Sequence, residues 1–197
     1  MSYSVLYTDA QRQRAVAWAV ALTANTPLAP RRYERHLLHQ YQKGILTIEE
    51  VIHRLDTSVY QILYRSQVVE PLAAEYLRDL LVRAQHYNAQ HQITGLLLYS
   101  AGRFVQVLEG PEAAVRTLYA RIQADTRHQQ VVTVGEGPEP ARRFGEWTMG
   151  FGQVTLPEIA LVLEAESTDP RVPDINERHI QALLRAFGMA ASSIANV

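Results

Sequence analysis

The sequence predicts an α+β domain of ferredoxin-like order, β-α-β-β-α-β-β, with two helices on one face of the sheet. A helical segment precedes it and further helices follow. Three observations lead there. Between residues 58 and 153 the apolar pattern switches between period two and period 3.6 in that order. Two strand-like runs are separated only by Ala101-Gly102, which reads as a hairpin turn. Before residue 58 the pattern is helical, interrupted at Pro27 and Pro30. The expected divisions are 1–57, a helical extension; 58–153, the sheet domain; and 154–197, a helical output or cap segment.

Taken in order, the first element contains AVAWAVAL, residues 15–22, after Arg12 and Arg14. Spanning a bilayer takes about 20 apolar residues, so this run is too short. It also lacks a small-x-small cleavage site. A buried helix is expected, in a soluble, cytoplasmic chain. RRYERHLLHQYQK follows as a helix with Leu37, Leu38 and Tyr41 on one face and Gly44 as its C-terminal cap. Thr47 and Glu50 then form a capping box opening a helix over Ile48–Leu55. The pair is a helical hairpin, a structural or oligomerising appendage.

SVYQILYRS alternates as a strand. PLAAEYLRDLLVRAQHYNAQ carries Leu77, Leu80, Leu81 and Ala84 at helical spacing. ITGLLLYS and GRFVQVLEG form the hairpin. PEAAVRTLYARIQAD is a helix with Val115, Leu118 and Ile122 inward. QVVTVGEG and EWTMGFGQV are the fourth and fifth strands. LPEIALVLEAES is helical, a Pro-rich break runs from Asp169 to Asp174, and INERHIQALLRAFGM is amphipathic through Ile180, Leu183, Leu184 and Phe187.

Net charge of −1 gives no electrostatic footprint for nucleic acid or an acidic membrane surface. The absence of cysteine excludes disulfides, thiolate metal sites and a cysteine nucleophile. No dinucleotide fingerprint, P-loop, G-x-S-x-G elbow or H-E-x-x-H occurs, and the histidines, His36/His39 and His86/His91 among them, lack a supporting carboxylate cluster.

What remains is a small set of polar residues in costly places. Gln106 interrupts the apolar run Phe104, Val105, Val107, Leu108, and an unsatisfied buried amide costs about 1–3 kcal/mol. If strands one and three are neighbours, Tyr64 lies beside Gln106, and the first helix brings Asn88 over the same face. Trp147 and Met149 have equal parity on the fifth strand and are expected to share a face. Such a cluster between sheet and helices suits a flat, hydrogen-bonding ligand.

The segment from Val59 to Val154 resembles a BLUF domain, the blue-light sensor that uses flavin. The matching residues are QILYRS, YNAQHQITGLLLYSAGRFVQVLEGPEAAV, DTRH and RRFGEWTMGF, with Gln106 eleven residues after the glycine of ITG. The resemblance implies a photoreceptor, not an enzyme, that binds flavin noncovalently: FAD, with FMN or riboflavin as substitutes. It implies that Tyr64 donates an electron and proton to light-excited flavin and that Gln106 bridges Tyr64 and flavin N5/O4, rearranging to red-shift the absorption. Asn88 would bond the pyrimidine edge of the ring, and Ser66 would lie close to the Tyr64–Gln106 network. Ile122 would pack on the ring, with Arg127 and His128 along the flavin. Trp147 and Met149 would relay the signal. The 44 residues from Val154 onward are too few for a cyclase, phosphodiesterase or kinase domain, so the C-terminal helices are the expected receivers, acting on a homo-oligomer or a downstream protein partner, with no nucleic acid or membrane involved. Two features depart from the pattern: the N-terminal extension, and Tyr87, an aromatic just before Asn88. The alternatives are a flavin-free protein-interaction module and an RNA-binding ferredoxin-like domain, the latter opposed by the charge and by a glutamine where a stacking ring would sit.

Overall fold

The structure, a computed structural model, describes residues 8–26, 28–70, 73–163, 175 and 177–194. These fall into two compact units: one of the described residues up to Ser58 with Pro138–Pro140, the other Val59–Gly137 with the described residues from Ala141 onward. The expected breaks at Pro27 and at Asp169 to Asp174 lie outside the described residues.

The first unit holds α1 (Asp9–Thr23), α2 (Arg32–Gln42) and α3 (Ile48–Asp56). Each start follows from local chemistry. Thr8 and Gln11 cap α1 reciprocally, and at α3 Thr47 N–H donates to Glu50 Oε2 (2.7 Å) while Glu50 N–H donates to Thr47 Oγ1 (3.2 Å). α2 ends because Gly44 takes φ +68°, a left-handed turn in which Ile45 N–H reaches back to Gln40 O at 3.0 Å. Leu37, Leu46 and Val51 form the core, flanked by Tyr33, Tyr41 and Leu55. The buried helix expected over residues 15–22 is not what forms. α1 buries only Val16, while Trp18 is 70% and Leu22 61% exposed. The run AVAWAVAL has no apolar stripe to turn inward, and alanine-rich propensity sustains the helix without burial.

The second unit contains β1 (Val59–Val68), α4 (Ala74–Gln90), β2 (Thr94–Ser100), β3 (Arg103–Gly110) and α5 (Glu112–Gln123). It continues through most of β4 (His128–Glu139) to β5 (Gly150–Gln153), α6 (Leu156–Leu163) and α7 (Glu177–Ile194). The sheet order is β4-β1-β3-β2-β5, with β3 antiparallel to β1 and β2, and β5 parallel to β2. The β2–β3 hairpin turns through Ala101 (φ 46°) and Gly102 (φ 80°), the primed geometry that matches strand twist. The α+β, ferredoxin-like arrangement predicted from the pattern is the one present.

Strict alternation divides the core between two faces. On one, Ile62, Tyr64, Leu97, Phe104 and Leu108 pack beneath α4 (Leu77) and α5 (Val115, Tyr119). On the other, Leu63, Leu96, Leu98, Val105 and Val107 pack against Ile159 of α6 and Ile180 and Leu183 of α7. Gly95 is required where it stands: an added Cβ would lie 2.1 Å from the backbone oxygen of Val107.

The fifth strand is shorter than expected, and this separates two residues. Trp147 packs in the α6/α7 core and Met149 in the α4/α5 core. They do not share a face, because the chain bends at Thr148 and Met149 and becomes a strand only at Gly150. Parity arguments hold only for extended backbone.

Candidate functional site

The register places Tyr64 opposite Gln106, which answers where the strand's buried amide finds a partner. Tyr64 O–H donates to Gln106 Oε1, and Gln106 Nε2 donates to Met149 Sδ at 3.3 Å. A thioether is a weak acceptor, so one end of the amide is firmly held and the other loosely. Tyr64 is 1% exposed. Burial, aided by Tyr119 and Asp125, pushes its phenol pKa far above the ordinary value. It therefore stays protonated. Tyr119 lies behind it, ring centroids 5.1 Å apart, with its own hydroxyl 2.7 Å from Thr133 Oγ1.

Above this floor, α4 and α5 stand apart and leave a cavity of about 550 Å³. Leu80, Ala84, Tyr87 and Asn88 line it from α4, and Leu118, Arg121 and Ile122 from α5, each set at the spacing of one helical face. Asn88 is 1% exposed. Its Nδ2 donates to Thr148 O at 2.7 Å, while its Oδ1 is buried without a partner. That orphaned acceptor calls for an N–H donor from a ligand. Gln85 Nε2 donates to Met149 O at 3.0 Å, so α4 grips the backbone of the two residues that bring the thioether to Gln106.

The mouth is charged. Asp125 accepts from Arg127 N–H (3.0 Å) and Nε (2.8 Å), and these bonds hold its carboxyl down at about 2. Arg127 also donates to Tyr76 O–H. Arg83 and Arg121 join it at the rim, Arg121 lying over the Tyr87 ring at 4.8 Å. His128 Nδ1 lies 3.1 Å from Ser66 Oγ. Burial lowers its pKa, outweighing the raising effect of Asp125, so the imidazole is neutral near pH 7.

Of the residues singled out from sequence, Tyr64, Asn88, Gln106, Ile122, Arg127, His128 and Met149 converge on one cavity. Ser66 does not line it. Two residues beyond Tyr64 on β1, it meets His128 instead of the Tyr64–Gln106 pair. The sequence reading missed Leu97 and Phe104 in the floor and Arg83, Arg121 and Asp125 at the mouth. The signal was available for the two arginines, which recur at the same helical spacing as Ala84, Tyr87, Leu118 and Ile122.

A cavity with an amide and a phenol in its floor, one orphaned acceptor in its wall and arginines among its lining residues defines a ferredoxin-like domain built to hold a polar ligand. The family model for BLUF, "Sensors of blue-light using FAD", matches residues 59–150. The dark-state structure of BlrB, a BLUF protein, is 32% identical, with 68% of this chain and 97% of that one covered at a TM-score of 0.51. The photo-activated state of BlsA is 26% identical, covering 66% and 94%, at 0.53. The chain belongs to the BLUF family and carries its flavin-binding photosensor fold. Among curated proteins, the photoactivated adenylate cyclase subunit beta-like protein FB of Euglena gracilis is 36% identical over 64% of this chain. The chain spans only 16% of that relative's length.

Proposed function

We propose that this domain senses blue light through the Tyr64–Gln106–Met149 chain of hydrogen bonds, and that this buried chain in the cavity floor is the observation carrying the reading. Flavin, when bound, supplies the visible absorption and an excited-state electron acceptor. The other roles belong to the protein. Tyr64 holds the electron and proton to be given up, and its Oη proton already points at Gln106 Oε1. Gln106 offers a donor and an acceptor end, so its rearrangement reverses what it presents without changing net charge. Asn88 Oδ1 would take an N–H of the ring and Ile122 would pack on it, with His128, held by Ser66, and Arg127 alongside. The arginines at the rim favour a phosphate-bearing flavin, FAD first and FMN second.

Rearrangement at Gln106 removes the donor from Met149 Sδ. Met149 lies two residues from Trp147, whose ring is 4.9 Å from that of Phe187 on α7. The signal thus leaves through the α6–α7 side, toward a second copy or a protein partner.

The purified chain should be yellow and its flavin absorption should shift to the red under blue light. Tyr64→Phe and Gln106→Leu should each abolish the shift while retaining flavin. Wild-type-like shifts in both variants would overturn the proposal.

A further inference from the structure

Glu109 is fully buried, on the face of β3 opposite the cavity. Its carboxylate lies in one cross-strand row with Gln61 of β1 and Thr94 of β2. Oε1 accepts from Gln61 Nε2 and from the backbone N–H of Arg143 (2.8 Å). Oε2 accepts from Phe144 N–H (2.9 Å) and Thr94 Oγ1 (3.3 Å). Four donors thus meet the roughly four lone-pair sites of a carboxylate. Beside it, the Arg142 guanidinium donates to Glu109 O (3.0 Å), Thr94 Oγ1 (2.8 Å) and Gln92 O (2.6 Å). Residues 142–144 are therefore fastened to the sheet by backbone as well as side chain.

The same segment continues to the photochemical chain. Trp147 N–H donates to Phe144 O (3.1 Å) and Trp147 O accepts from Gly95 N–H (3.0 Å). Phe144 is 1% exposed, with the Trp147 ring 6.3 Å away. Two residues later Met149 meets Gln106. One segment is thus attached to β3 twice, at Glu109 on one face and at Gln106 on the other. The first attachment is saturated with charge-assisted bonds and the second is a single bond to sulfur.

We infer that Glu109 is a positioning residue of the light response: its carboxylate pins residues 142–144 as a pivot, so that release at Met149 turns Trp147 against α7. This rests on the photoreceptor reading above. Without the pivot, the whole segment would shift and the displacement would be lost before it reached Phe187. Glutamine at 109 keeps the shape but has only one acceptor oxygen, and its NH₂ would face donors. The backbone amides of 143 and 144 would then share or lose their partner.

Two measurements test this. In the wild type, residue-resolved hydrogen exchange should show the amides of Arg143 and Phe144 protected equally in dark and light, while Thr148, Met149 and α7 change. In Glu109→Gln, flavin loading and the red shift should match wild type, whereas the light–dark exchange difference across α7 should fall severalfold. Gln61→Met removes one donor but leaves both backbone bonds, and should keep the wild-type α7 response. Light-induced deprotection of 143 and 144 in the wild type overturns the inference even if the variant does not fold. So does an undiminished α7 response in Glu109→Gln, or a loss of red shift equal to the loss at α7. A wild-type chain that loads flavin and shows no red shift would instead sink the photoreceptor reading itself.

Discussion

Two polar clusters are centred on β3, three residues apart and on opposite faces. On the α6/α7 side, Glu109 is matched donor for lone pair by Gln61, Thr94 and two backbone amides. On the cavity side, Gln106 has one strong partner, Tyr64, and one weak one, Met149. Both place a polar group in a β-strand core, but only the first is complete. A complete network fixes a geometry, whereas an incomplete one leaves an amide with a second arrangement of comparable energy. On the function proposed above, the contrast separates what anchors this domain from what switches in it.

The widest separation between the rows should appear in stability. Glu109→Leu leaves two backbone N–H groups and the Gln61 amide buried without an acceptor, at about 1–3 kcal/mol each, so a loss of about 3 kcal/mol or more is expected in urea unfolding. Gln106→Leu leaves one buried donor, the Tyr64 hydroxyl, without its acceptor, at about 1–3 kcal/mol, so a smaller loss is expected. Equal losses would dissolve the distinction.

A smaller effect sharpens the weak end of the cavity row. Met149→Leu conserves volume and should change stability by less than about 1.5 kcal/mol. It removes the acceptor that Gln106 Nε2 has in this structure, so the rate of recovery after illumination should change, as read by the decay of red-shifted absorption. Unchanged recovery would show that the thioether does not hold the amide.

The smallest effect is one of pH. His128 and His179 both have pKa values lowered by burial below the ordinary 6.5 or so. The unfolded chain therefore binds more protons in this range, and stability rises with pH. The contribution is complete above about pH 6.5 and is lost as pH falls toward the depressed folded-state values. Tm should drop between pH 7 and 5, and His128→Asn should flatten part of that drop. A pH-independent Tm would show that neither imidazole is held neutral.

The cavity row was legible in the sequence and the anchor was not, for a physical reason. Gln106 stands out because apolar residues flank it closely, and its pairing with Tyr64 follows from the hairpin and the strand order. Glu109 sits near the end of β3 in LEGP, where a carboxylate ordinarily reaches water. Its burial depends on backbone amides from 34 and 35 positions downstream, which no local pattern encodes. Equal parity puts Trp147 and Met149 on one face only if the backbone stays extended, and the bend at Thr148 and Met149 breaks that condition. Parity puts Ser66 on the cavity face with Tyr64, but its partner, His128, is set by where β4 begins. The apolar run 15–22 predicts a helix correctly but its burial wrongly, because apolar content without a stripe does not specify an inner side.

The strand order has one last consequence for chain length. β4 and β5 are the two edges of the sheet, so the segment joining them must travel its full width, four strand spacings or about 19 Å. Glu109 fastens that segment beneath the central strand, dividing it into two arms. On the β4 arm an added residue near the exposed Ala141 would bulge harmlessly ahead of the fastening. On the β5 arm, an added residue after Gly145 would carry Trp147 off Gly95 and Met149 off Gln106. Tolerance of insertions is therefore lopsided, with room on one arm and none on the other.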